Sequence, residues 1–114
     1  MSNPNIAREL VRLAKSLTAN VAQEILSQIL AIDRYALMAW GAKDFVAGAK
    51  DLTFVVRGTK AGPGSKIVIT LEPDDTYKVT LWAIRGTPIK VKVIREERDV
   101  YVENLVSVID EMVG

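Results

Sequence analysis

Apolar and polar side chains alternate along residues 65–95 (SKIVITLEPDDTYKVTLWAIRGTPIKVKVIR) with a period of two, interrupted by Glu72–Thr76 and by Arg85–Pro88. Alternation between turn clusters predicts three strands of a half-buried antiparallel sheet. Ile67, Ile69, Leu71, Tyr77, Val79, Leu81, Ile89, Val91 and Val93 are expected on the core face. Lys66, Val68, Thr70, Lys78, Thr80, Trp82, Ile84, Lys90 and Lys92 are expected on the other. Upstream, Leu52, Phe54 and Val56 alternate in the same way and predict a strand over 52–57. Over 35–40 Ala, Leu and Met favour helix while the aromatics suit a strand; Tyr35–Trp40 is read as a further strand with helix as the alternative, followed by a turn or bulge over Gly41–Asp44.

Both ends of the chain carry a helical period instead. Ile6, Leu10, Leu13, Leu17 and Val21 recur at spacings of four and three, behind an Asn3-Pro4 start signal. Asn20 with Gln23 has capping-box form and predicts a second helix through Ile25, Ile29 and Leu30. Val102, Leu105, Val106, Ile109, Met112 and Val113 form a closing stripe, and Arg95–Asp99 reads as a charged connection before it. Short connections favour antiparallel pairing, because parallel strands need long crossovers. The predicted fold is α+β: one domain over 1–114, an antiparallel sheet of about five strands, and N-terminal and C-terminal helices packed on one face.

Composition narrows the chemistry. The chain has no cysteine and no histidine, which removes disulfides, thiolate and imidazole metal ligands and an imidazole base. No run approaches the roughly 18 apolar residues of a membrane span, so a cytoplasmic protein with no membrane contact is the expectation. At 49% hydrophobic side chains, apolar surface is expected to remain for a partner or a second copy. Net charge is uneven: +2 over residues 1–50, +4 over 51–95 and −5 over 96–114. A basic sheet beside an acidic helix fits that division, as do two solvated faces of different charge.

No stretch carries a catalytic signature. Gly62-Pro63-Gly64-Ser65-Lys66 superficially resembles a phosphate loop, but it lacks the spacing and leads into a strand. Glu72, Asp74 and Asp75 read as turn residues rather than cation ligands. Glu96, Glu97, Asp99 and Glu103 read as acidic residues favoured near a helix start rather than as a catalytic pair. The expectation is a protein that is not an enzyme, with no cofactor, no metal and no evident small-molecule substrate.

The remaining candidate site is the outer sheet face: Val55, Arg57, Lys66, Val68, Lys78, Trp82, Ile84, Lys90 and Lys92. Val55, Val68, Trp82 and Ile84 form an apolar centre with a polar rim, the anatomy of a protein interface. The same surface suits nucleic acid, with lysines for phosphates and Trp82 as a stacking platform, although sheet binders usually present two or three aromatics. Plain strand propensity on a solvated face is the third reading.

At Ala42-Lys43-Asp44-Phe45-Val46, at Val68-Thr70-Leu71-Asp75-Tyr77-Val79 and at Ile84-Arg85-Gly86-Thr87, the chain resembles a set of small proteins encoded by bacteriophages and other mobile elements. That set shares a G-A-K-(D/N)-F segment, a hairpin, an I-R-G-T turn and a closing Y-(A/V)-(D/E)-x-L helix. The likeness runs from about Ile25 to Leu105 and has no established activity attached. It departs at Ala31-Ile32, where a Gly-Gly pair is the set's pattern, and at the C-terminus. It implies a small phage or mobile-element protein in the cytoplasm of a host cell and carries no implication about activity.

Overall fold

The computed structural model describes residues 20–58, 64–85 and 90–114. The element order is α1 (Asn20–Ile32), α2 (Ala36–Ala39), β1 (Lys43–Ala47), β2 (Asp51–Val56), β3 (Ser65–Leu71), β4 (Tyr77–Arg85), β5 (Lys90–Val100) and α3 (Val102–Val113). The five strands form one antiparallel sheet in the order β1-β2-β3-β4-β5, so each strand pairs with its neighbour in sequence. The architecture is α+β, as the periodicities predict. The N-terminal stripe from Ile6 to Leu17, the expected loop over 59–63, the expected turn over 86–88 and the expected core residue Ile89 lie outside the described residues.

One face of the sheet builds the core. Leu52, Phe54 and Val56 of β2, Ile67 and Ile69 of β3, and Val79 and Leu81 of β4 are buried together. Helix α1 sets Ile25, Leu26 and Ile29 against them, and α3 adds Leu105, Ile109, Met112 and Val113. Each fully buried aliphatic side chain contributes roughly 1.5–3 kcal/mol. Trp40 stacks on Phe54 at 6.4 Å between ring centroids, and Phe45 tilts against the same ring at 5.4 Å. The Trp40 indole Nε1 donates to Asp110 Oδ1 at 3.1 Å, tying the start of the sheet to α3. The Tyr77 hydroxyl donates to Gln28 Oε1 at 2.7 Å, and burial pushes its pKa above the usual phenol value.

Four expectations need correction. Tyr35–Trp40 is not a strand: Ala36–Ala39 forms a single helical turn that buries Ala36 and Leu37. A short apolar run has no periodicity to separate the two states, and Ala, Leu and Met favour helix. The edge strand starts later, at Lys43, within the segment expected to turn or bulge; the bulge lies between Lys43 and Val46, with Asp44 at φ +55°. Arg95–Asp99 is not a connection but the second half of β5. Arg95 bridges to Glu97 at 3.1 Å and to Glu111 of α3 at 3.3 Å, so Glu97 serves an ion pair rather than a helix start.

The fourth correction concerns the faces of β5. Val91 and Val93 were expected in the core, yet they are 59% and 42% exposed. Val93 pairs with Trp82 and Val91 with Ile84, whereas Lys92 pairs with the buried Ala83 and Lys90 with Arg85. Directly paired residues share a face, so Lys90 and Lys92 leave the face of Lys66 and Lys78. The cause is the register shift between Leu81–Arg95 and Trp82–Val93, where Ile94 is the extra residue. One inserted residue exchanges the two faces for everything beyond it.

Candidate functional site

The outer face is assembled from three cross-strand rows. Lys43, Val55, Lys66, Trp82 and Val93 occupy the first, one residue from each strand. The second carries Val46, Thr53, Val68, Thr80 and Glu96, and the third Asp51, Thr70 and Lys78. Val46 is 62% exposed, and Val55, Val68 and Trp82 are half-buried by their neighbours alone. Thr80 is buried within this face and its hydroxyl donates to Glu96 Oε1 at 3.3 Å. Helices α1 and α3 both belong to the core on the opposite side, and among the described residues no element lies over the outer face.

Six of the nine candidate residues fall at this face by register. Val55, Lys66, Val68, Lys78 and Trp82 stand in the rows above, and Ile84 holds its backbone place opposite Val91. Arg57 follows β2 and is exposed, and its backbone N–H donates to the Trp40 carbonyl at 2.7 Å. Lys90 and Lys92 are removed by the Ile94 bulge. Sequence reasoning missed Lys43, Val46, Val91, Val93 and Glu96. The signal for Lys43 and Val46 was Asp44: aspartate tolerates the left-handed region and often marks an irregular strand.

Lys43 and Arg57 share a cleft of about 300 Å³ at one end of the sheet, between Gly41, Val55 and Gly64. Neither cation has an ion-pair partner among the described residues. Gly64 leads directly into β3, so the segment ahead of Ser65-Lys66 feeds a strand and offers no helix N-terminus to a phosphate. At the opposite end, Asp74 accepts from the Thr76 hydroxyl at 2.6 Å and from its backbone N–H at 3.1 Å, which together hold its carboxyl below the usual range. Glu72 is 4.0 Å from Arg98. These contacts close a β-turn, with Asp75 at φ +66°. Among the described residues no group of three or more acidic side chains is placed to hold a metal ion, and no helix is long and apolar enough to cross a membrane.

Chemically, the face offers an apolar surface around an indole, with Lys66 beside it on the central strand and further charges on the edge strands and at the row ends. No family model, no curated protein and no solved structure matches this chain.

Proposed function

We propose that this chain is a small accessory protein, of a bacteriophage or mobile element in keeping with the resemblance above, that works without catalysis by binding another protein through the outer sheet face. The observation that carries this reading is the register of β5. It moves Val91 and Val93 beside Trp82 and takes Lys90 and Lys92 away. The surface is thereby more apolar and less basic than alternation alone predicts. Apolar centres with an aromatic anchor and a charged margin are where binding energy concentrates.

Trp82→Ala tests the reading. Trp82 lies outside the core cluster, so the variant should melt like the parent. Its affinity for the partner should fall by about 2 kcal/mol or more, the loss typical of a central aromatic anchor. Full partner affinity in a folded Trp82→Ala protein overturns the proposal.

A second reading has its own observation, the row Lys43–Val55–Lys66–Trp82 with Arg57 at its end, which suits a single-stranded nucleic acid. Lys43, Arg57, Lys66 and Lys78 engaging four phosphates would give log K against log salt a slope of about −2.8. Absence of oligonucleotide binding at low salt removes this reading.

A further inference from the structure

We propose that the partner of the outer face is a second copy of this chain, packed face to face about a two-fold axis that runs along β3. The inference rests on the reading of that face as an interface. A half-apolar sheet face is buried in stable architectures by another layer, and a second sheet is one of the standard layers. The inner face already has α1 and α3.

The charge pattern selects a second copy and sets the axis. Asp51 on β2 and Lys78 on β4 stand in one row, flanking Thr70 of the central strand. Neither has an ion-pair partner among the described residues. A two-fold axis along β3 lays β2 over β4 of the other copy and β1 over its β5. Asp51 then meets Lys78 of the partner subunit, twice by symmetry. Val55 meets the partner's Trp82, Val68 meets the partner's Val68, Lys43 meets the partner's Val93 and Val46 the partner's Glu96, so that Lys43 and the partner's Glu96 stand diagonally across the contact. An axis across the strands through Val68 instead sets Val55 against the partner's Asp51 and the two Glu96 carboxylates against each other. The first arrangement pairs Asp51 with Lys78 and gathers Val55, Val68 and Trp82; the second sets a carboxylate on Val55 and opposes two carboxylates. Lys66 is the cost of the first, because it lies on the axis and faces its own copy. It is the second residue of β3, where a lysine stem can lie along the sheet and carry its ammonium toward that end of the strand.

Size fixes the strength. Five strands about 4.8 Å apart and the seven residues of β4 from Lys78 to Ile84, about 20 Å end to end, give a footprint of about 500 Å² per copy. That is at the small end for a specific pair, so the dimer is reversible and depends on concentration.

Sedimentation equilibrium on the full chain, from micromolar to millimolar concentration, tests this. The parent should pass from monomer to dimer. Asp51→Lys and Lys78→Asp should each weaken the dimer about tenfold, and the double variant should recover most of the loss, because coupled partners are non-additive. Melting curves on each variant confirm that the fold is intact. A dimer sensitive to Trp82→Ala that the charge exchange fails to rescue overturns the axis. A dimer indifferent to all of these substitutions overturns both the inference and the outer-face reading. A monomer at every concentration overturns the second copy alone, and hydroxyl-radical labelling then assigns the face. Protection of Trp82 and Val93 in that monomer points to residues 1–19 of the same chain, and full labelling of both points to a different protein.

Discussion

Asp44, Asp75 and Asp99 are the described non-glycine residues with positive φ, at +55°, +66° and +56°. Each sits where the ladder is interrupted: Asp44 in the β1 bulge, Asp75 at the tip of the β3–β4 hairpin, and Asp99 in the shift between Tyr77–Val100 and Val79–Glu97. A short polar side chain that bonds locally is tolerated in the left-handed region, whereas a β-branched one meets its own backbone. Asp99→Gly should therefore fold with stability near that of the parent, and Asp99→Val should lose about 1–3 kcal/mol. Denaturant titration checks this, and equal stability of the two variants would contradict the backbone argument. Gly58 shows a second kind of constraint: a Cβ there would overlap the carbonyl and side chain of Val113, so the chain passes α3 at that point only as glycine.

Among elements, β2, β3, β4 and α3 were legible because each combines a clean period with a buried face. Ile67, Ile69, Val79 and Leu81 point inward, and Leu105, Ile109 and Met112 line one side of α3, as their spacing requires. Two parts were not legible. The helical turn Ala36–Ala39 is too short to show a period, and Trp40 is fixed there by Phe54 and Asp110, which are distant in sequence. The faces of β5 depend on one bulged residue, and K-V-K-V-I reads equally well in either phase until its pairing with β4 is known. The register accordingly keeps Val55, Lys66, Val68, Lys78 and Trp82 on the outer face and removes Lys90 and Lys92 from it. The difference is measurable in the fold itself. Leu81→Ala should cost about 2–5 kcal/mol, because the side chain is buried. Val91→Ala should stay within about 0.5 kcal/mol, since Val91 is exposed in the single copy. Melting temperatures of the two variants decide it, and a large loss in Val91→Ala would restore the unbulged register.

At the scale of the whole molecule, the sheet divides the chain into two unlike sides. The inner side is covered by helices, with an indole hydrogen bond and an ion pair to α3 at its margins. The outer side carries Val46, Val55, Val68, Trp82, Val91 and Val93 with no described element over them. Acidic side chains such as Glu103, Asp110 and Glu111 lie on α3, so the sheet end at Lys43 and Arg57 and the helix side differ in charge. Contact through the outer side is the central claim, and site-directed photo-crosslinking in the living cell measures it most directly. A benzophenone side chain in place of Val93 reports from the sheet face, and one in place of the exposed Glu103 reports from α3. The account predicts a discrete protein adduct from position 93 that disappears when Trp82→Ala is added, and none from position 103. An adduct from position 103 with none from position 93 would contradict it.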